Sequence, residues 1–598
     1  MSRESHLRAL DPFLLTVATP GQYLGGEWNT VAKAPRPGLL RVALGFPDAY
    51  AVGMSHHGLR VLYELLNALP DVAAERVFAP LPDMEQALRA RGLPLTTLET
   101  MTPLAECDLV GFSLQYELCS ANVLTMLDLG GVPLHASARG PGDPLVLAGG
   151  AGAFNPEPLA GFLDLVLVGE AEEAFPELVA RLRDLDRARL SREALLRELV
   201  RTCPGWYAPS LYTVEQGRAV PRYEDVPAQV ERRVVRDLEA AAHPRAPVVP
   251  VVQTAHERVT VEIMRGCPHA CRFCQAGAVS RPRRARSVDT IVDIAEDCYR
   301  ATGYDEVGLL SLSTSDHPQF GELVGRLDEV FAPRGVSLSL PSLRVDAALS
   351  AIPERVRSVR KGGFTLAPEA ATERLRRVIN KPVDDDDLLA GAQAAFRAGW
   401  RTIKLYFMVG LPTETDDDVD AIPRLAKRVA ALGGRGKRSS VHLSVANFVP
   451  KAWTPFQWAA MDRPEVLAAK QARVAEGLGR GRSRVRYRGH DVQASILEAA
   501  LARAGRDWGP VVEAAWRHGA RLCAWEEHFR PQAWQAAFAS QGVDPEAVAC
   551  RERTVDAPLP WAHLSGGLSE DRLRADWQRA REGAASVERE TPSRADRV

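Results

Sequence analysis

The sequence predicts an α/β chain: two successive runs of strands alternating with helices, then a mainly helical C-terminal region. Three observations carry that expectation. Short apolar runs at 39–46, 108–114 and 163–169 have the length of buried strands. Between them apolar residues recur at helical spacing, as at Leu59, Leu62, Tyr63, Leu66 and Leu69. The same alternation resumes at residue 259, the pattern of parallel sheets covered by helices. Composition agrees, with 46% hydrophobic and 25% charged residues, enough to bury real cores in the several domains that 598 residues suggest.

In chain order, residues 1–38 read as a lead-in of some helix and loop. Residues 39–200 form the first α/β unit. Its strands are expected at 39–46, at a short stretch 77–79, and at 108–114, 144–150 and 163–169. Helices should run through Leu59–Leu69, from 84 to 91, through Asn122, Leu124 and Leu127, and from an acidic start at Glu170. In such sheets ligands sit at the carboxyl ends of strands, so the loops after Phe46, Leu114 and Gly149 are expected to line a crevice. Residues 201–255, with Pro244, Pro247 and Pro250, read as a connector with a small hairpin at 206–212. Residues 256–480 form the second unit, with strands at 259–263, 306–313, 336–341, 363–367, 402–409 and 441–448. Six strands with intervening helices suit a partial or full (β/α) barrel with its site at the C-terminal mouth. Residues 481–580 look helical and carry Trp508, Trp516, Trp525, Trp534 and Trp561, and 581–598 read as a flexible tail.

A formal net charge of −2 gives no global pull toward nucleic acid or anionic membrane. No apolar run is long enough to span a bilayer, and the charged N-terminus lacks the apolar core of a signal peptide. The expected location is therefore cytoplasmic, where clustered cysteines are metal ligands more often than disulfides. Three of the nine cysteines, Cys267, Cys271 and Cys274, fall within eight residues as C-x3-C-x2-C, in the loop that follows the strand at 259–263. Three thiolates suit an iron–sulfur cube with one open iron, whereas a closed zinc site wants four ligands. A zinc knuckle completed by a further ligand such as His269 is the alternative. Cys107, Cys119, Cys203, Cys298, Cys523 and Cys550 are scattered and read as small buried apolar residues. Arg281, Arg283, Arg284 and Arg286 follow the loop. They read either as an anion- or cluster-facing patch or as a solvated, ion-paired helix entry.

The cysteine loop resembles the signature of the radical SAM superfamily. The resemblance implies that Cys267, Cys271 and Cys274 bind a [4Fe–4S] cluster and that S-adenosylmethionine chelates the open iron. Reductive cleavage then gives methionine and a 5′-deoxyadenosyl radical. Phe273 matches the aromatic beside the last cysteine. Ser313, Thr314 and Ser315 occupy the loop that contacts the methionine amino group. Glu369, in Thr-Leu-Ala-Pro-Glu-Ala, is similar to the residue that meets the ribose or amine in methylthiotransferase-like members. Gly410, in a Gly-Leu-Pro turn, matches the fifth-strand motif near adenine. The bland readings are a capped helix start for the serines and a dipole-opposing carboxylate for Glu369.

The first unit resembles the cobalamin-binding, Rossmann-like domain that precedes many radical SAM barrels, with Gly149 and Gly150 at a strand end and Glu170-Ala171-Glu172 after another. The full fold implied is that domain, then a radical SAM (β/α)6 partial TIM barrel, then a helical region. The D-x-H-x-x-G motif that supplies a histidine to cobalt is absent, since the chain reads Ser55-His56-His57-Gly58. No cysteine motif follows Cys550, which argues against a second cluster. The resemblance leaves three functions open. One is a cobalamin-dependent methyltransferase. A second is an RNA- or protein-modifying radical SAM enzyme without cobalamin. The third is a non-catalytic iron–sulfur or zinc protein. A low-potential donor, flavodoxin or ferredoxin, is the expected partner, with no membrane.

Overall fold

Parallel strands need long crossovers, and the helical segments between the apolar runs supply them. A computed structural model describes residues 3–185, 189–341, 363–434, 439–479 and 484–583. In it the first unit forms one six-stranded sheet: β1 (Leu40–Phe46), β2 (Val72–Phe78), β3 (Leu109–Ser113), β4 (Leu145–Gly149), β5 (Leu165–Leu167) and β6 (Trp206–Tyr207). The order is β2-β1-β3-β4-β5-β6, parallel throughout except for β5 with β6.

Two expectations change here. β2 is seven residues long and wholly buried, not a short piece at 77–79. Glu75 and Arg76 break its apolar pattern in sequence, yet both are buried and paired. Glu75 meets Arg41 at 2.5 Å, and Arg76 meets Glu99 at 2.6 Å and Glu27 at 3.0 Å. The hairpin also moves. Trp206–Tyr207 closes the edge of the main sheet, and the hairpin is β7 (Tyr212–Glu215) with β8 (Arg218–Pro221). Its two-residue turn, Gln216-Gly217, has φ of 49° and 79°, the left-handed pair that a tight hairpin turn requires. The connector is stitched to its surroundings: Arg233 pairs with Gly169, Val230 with Leu564 and Val249 with Trp28.

The second unit holds β9 (Val259–Glu262), β10 (Met264–Arg265), β11 (Arg284–Ala285), β12 (Glu306–Leu310), β13 (Ser337–Ser339), β14 (Gly363–Glu369), β15 (Thr402–Val409), β16 (Ser440–Asn447) and β17 (Val485–Gly489). β13-β12-β9 and β14-β15-β16-β17 are parallel sheets, and β10-β11 is an antiparallel ribbon. Ile403, Leu405, Phe407 and Val409 point to a buried face while Lys404 and Tyr406 are exposed, the period of two of a sheet with one covered face. β17 corrects the boundary at 480. It pairs with β16 as a seventh parallel strand, Val441 opposite Val485, and Val-Arg-Tyr-Arg-Gly is itself an alternating strand pattern.

The C-terminal helices cover the first unit. Trp516 donates to Thr125 (3.1 Å), Trp525 to Asp48 (2.7 Å) and the Leu522 amide to Asn122 (2.8 Å). The last described helix is Glu570–Arg581, and the tail expected from 581 lies, from 584 on, outside the described residues. Cys107, Cys119, Cys203, Cys298 and Cys523 are buried free thiols, and Cys550 is half-buried. Among the described residues no helix is long and apolar enough to cross a membrane.

Candidate functional site

The cysteine loop hangs from the β10–β11 ribbon. Gly266 opens it at φ 82°, and a Cβ there would lie 2.6 Å from the Pro282 carbonyl oxygen, so only glycine fits. Cys267, Cys271 and Cys274 are half-buried. Cys274 caps the short helix Gln275–Val279, its Sγ accepting the Gly277 amide at 3.3 Å. Burial pushes the Cys274 thiol up; Cys267 pushes the same way and Lys381 opposes both. Distant segments clamp the loop. The Arg272 amide donates to the Ile379 carbonyl (3.0 Å), Asn380 Nδ2 to Ala270 (2.8 Å), Arg281 Nη2 to His269 (3.1 Å) and Gln275 Nε2 to Ala452 (3.2 Å). His269 Nε2 lies 2.7 Å from Asp316 Oδ2. Three soft donors in one clamped loop fit the chemistry of a three-thiolate iron–sulfur centre. Among the described residues no three His, Cys, Asp or Glu side chains stand as a ready-made ligand group. Sites of this kind are completed as the ions bind.

Beside the loop lies a cavity of about 710 Å³. One wall is the carboxyl end of the first sheet, with Phe112, Leu147, Gly149 and Gly150, and with His56 and His57 after β1. The facing wall is Glu262, Arg265, Gly266 and Ala276, at the root of the cysteine loop. The crevice expected from the loops after Phe46, Leu114 and Gly149 is therefore present, and it is shared with the second unit. His56 Nδ1 accepts the Leu59 amide at 3.1 Å, so this ring caps a helix. Burial holds His56 down to about 4 and His57 well below the usual histidine value.

The remaining expected residues fall around the loop. Ser313 is buried and donates to Asp316 at 2.5 Å, joining the contact to His269. Thr314 is buried, with its hydroxyl 3.1 Å from that of Ser311, and Ser315 is half-buried beside it. Phe273 packs on the main core. Glu369 ends β14 at φ 65°, 3.1 Å from Lys381 Nζ. Burial raises its carboxyl and Lys381 pulls it back. Gly410 turns the chain at φ 85°, its amide donating to Glu414 at 2.8 Å. Gly149 and Gly150 line the cavity; Ser313, Glu369 and Gly410 do not.

The basic run after the loop is neither a solvated helix entry nor a free patch. Arg281, Arg284 and Arg286 are buried. Arg284 grips Glu170 through both oxygens at 2.8 Å, and Arg286 donates to Ala241 at 3.1 Å. Arg265 meets Glu172 at 2.5 Å and Glu262 at 2.8 Å. Glu262, Arg265 and Asn380 were given no role from sequence, and Glu170 and Glu172 stood only as a helix start and as part of the Glu170-Ala171-Glu172 resemblance; the contacts Glu172–Arg265, Glu170–Arg284 and Asn380–Ala270 join residues far apart along the chain.

The sequence pattern of the radical SAM superfamily matches residues 261–426, from β9 through the whole cysteine loop to β15 and beyond. The chain belongs to the radical SAM superfamily. A second pattern, that of the N-terminal part of radical SAM proteins, matches residues 58–209. As a radical SAM enzyme it uses a [4Fe–4S] cluster and S-adenosylmethionine, and enzymes of this family need a reductant.

Relatives differ in reach. An uncharacterized protein of Methanocaldococcus jannaschii, MJ0966, is 27% identical over 465 residues, 77% of this chain and 88% of its own. The ribosomal protein uS12 methylthiotransferase RimO of Acaryochloris marina is 26% identical over 231 residues, 37% of this chain and 48% of its own. Two structures of the radical S-adenosylmethionine methyltransferase TsrM from Kitasatospora setae align with it. The one with cobalamin and a [4Fe–4S] cluster bound has 14% identity and a TM-score of 0.39, over 91% of this chain and 99% of its own. The one with tryptophan and a SAM analogue has 13% identity and a TM-score of 0.34, over 73% and 71%.

Proposed function

We propose that Cys267, Cys271 and Cys274 hold the [4Fe–4S] cluster at the mouth of a partial (β/α) barrel, and that the N-terminal unit is a Rossmann-like domain holding cobalamin for methyl transfer to a carbon. The observation that supports this most is the shared cavity. One space is walled by the strand ends of the first unit and by Gly266 and Ala276 of the cysteine loop, so a ligand of the first unit and the cluster loop face each other. When bound, the cluster and S-adenosylmethionine supply one-electron cleavage to a 5′-deoxyadenosyl radical, and cobalamin supplies a transferable methyl group.

The chain's own residues do the rest. The His269–Asp316–Ser313 contacts, Asn380 and Arg281 hold the loop in place. Glu369 would accept from the ribose or amine of the cosubstrate, with Lys381, 3.1 Å away, keeping it oriented. The Gly410 turn would hold the end of β15 beside the adenine, and Phe273 anchors the loop on the core. Apolar Phe112, Leu147 and Phe154 in the cavity wall exclude water. His56 Nδ1 is committed to its helix cap. Flavodoxin or ferredoxin supplies the electron.

The similarity to RimO favours a second reading, modification of RNA or a ribosomal protein without cobalamin. Anaerobic reconstitution with S-adenosylmethionine, dithionite and hydroxocobalamin, followed by gel filtration, separates the two. A corrinoid absorbance that stays with the protein is the expected result. Complete loss of corrinoid, with 5′-deoxyadenosine formed only on adding tRNA, rRNA or ribosomal protein, would replace the first reading by the second.

A further inference from the structure

The cysteine loop and its helix are closed at their root by the β10–β11 ribbon, in which Arg265 and Arg284 are direct register partners. Two guanidinium groups opposite each other repel, so the ribbon needs carboxylates to hold its register. From the second unit Glu262 takes Arg265 through both oxygens at 2.8 Å. The others come from the first unit. Glu170 binds Arg284 through both oxygens at 2.8 Å and stands 3.3 Å from Arg265 Nη1, so one carboxylate spans both arginines. Glu172 adds a 2.5 Å contact to Arg265.

Glu170 is aimed rather than loosely placed. Gly169 before it has φ 103°, where a Cβ would lie 2.2 Å from the Arg233 carbonyl oxygen, and Glu170 Oε2 also accepts the Val235 amide at 2.6 Å. The side chains of all five groups are at most 16% exposed, where charge pairs are weakly screened. Arg286 acts on Glu262, Arg265, Glu239 and Glu172 through space, so the cluster extends beyond the ribbon to a further guanidinium and a further carboxylate. Glu170 and Glu172 both line the shared cavity.

We infer that Glu170 and Glu172 are positioning residues by which the N-terminal unit fixes the root of the cysteine loop and sets the charge beside Cys267, through Arg265 and Arg284. The inference rests on the reading that the three cysteines hold the cluster. Whatever fills the cavity lies against the same two carboxylates, so this ionic bridge couples the first unit to the electron-accepting centre. Net charge near an iron–sulfur cluster moves its reduction potential. Removing a carboxylate leaves positive charge beside Cys267 and favours the reduced form of the one-electron couple; removing a guanidinium does the reverse.

The test is an EPR-monitored titration with dithionite on reconstituted wild type, Glu170→Gln and Arg284→Gln. The expected result is a positive shift of midpoint in E170Q and a negative shift in R284Q, at the same iron content. A merely loosened fold moves both in one direction. Equal midpoints, or shifts of the same sign, overturn the inference. If E170Q fails to load iron, Glu172→Gln, which takes one of three carboxylates from Arg265 and leaves Arg284 paired, carries the same measurement. Hydrogen exchange on cluster-free protein is the second readout, with amides 266–274 expected to exchange several-fold faster in E170Q; unchanged exchange counts against the bridge. Failure of the cysteine reading itself shows separately, as iron retained by Cys271→Ala.

Discussion

At Gly150 the backbone takes φ 101° and ψ −171°, a region open to glycine alone, and a Cβ would stand 2.5 Å from the Leu114 carbonyl oxygen. Gly150→Ala should therefore cost about 1–3 kcal/mol, read as a lower midpoint in urea unfolding. The Gly149-Gly150 pair was visible in the sequence as a strand end, but its physical reason, close approach to Leu114, was not. The same division holds at other residues. The thiol triplet was legible because spacing alone reveals three soft donors. Ser313 showed as a hydroxyl with nothing to say that its partner is Asp316, and Arg284 showed as a cation with nothing to say that Glu170 lies against it. Residue type is local information, whereas a partner 114 positions away is set by the fold.

Elements read well where one pattern ran unbroken. β1, β3, β15 and β16 show as apolar or alternating runs. β2 was shortened by Glu75 and Arg76, whose burial depends on Glu27, Glu99 and Arg41 from elsewhere. At the helix Asp416–Leu432 a capping box is present: the Thr415 amide and hydroxyl both donate to Asp418 Oδ2 at 2.8 Å, and Arg374 pairs with the same carboxylate. Burial raises the Asp418 carboxyl, but Thr372, Thr415 and Arg374 together outweigh it and leave it below the usual 3.8. A depressed carboxylate stabilises the fold above its unfolded value, and the contribution is lost as pH falls through the folded value. Asp418→Asn should lower stability by about 1 kcal/mol at neutral pH. The gap to wild type should close below about pH 4, as measured by thermal melts across pH 3–7. A gap independent of pH would argue against the ionised cap.

Across the whole molecule one apolar core runs through the first unit, the second unit and the C-terminal helices, and buried ionic bridges add to it. Lys451, from the segment after β16, binds Glu117 of the first unit at 2.6 Å and Glu498 of the C-terminal helices at 2.7 Å. Lys451→Met leaves two carboxylates facing each other and should cost roughly 2–4 kcal/mol, towards the low end because Glu498 is still 29% exposed; denaturant unfolding measures it. The order of units was legible in the chain, because alternation and the cysteine spacing are both local. How the C-terminal helices return to the first sheet was not, since Trp516 and Trp525 find Thr125 and Asp48 only in the fold. The central claim is that Cys267, Cys271 and Cys274 carry the cluster. Iron and sulfide analysis of anaerobically reconstituted protein tests it most directly. About four irons per chain are expected in wild type and essentially none when the three cysteines are replaced by alanine. A triple variant that keeps its iron would contradict the account.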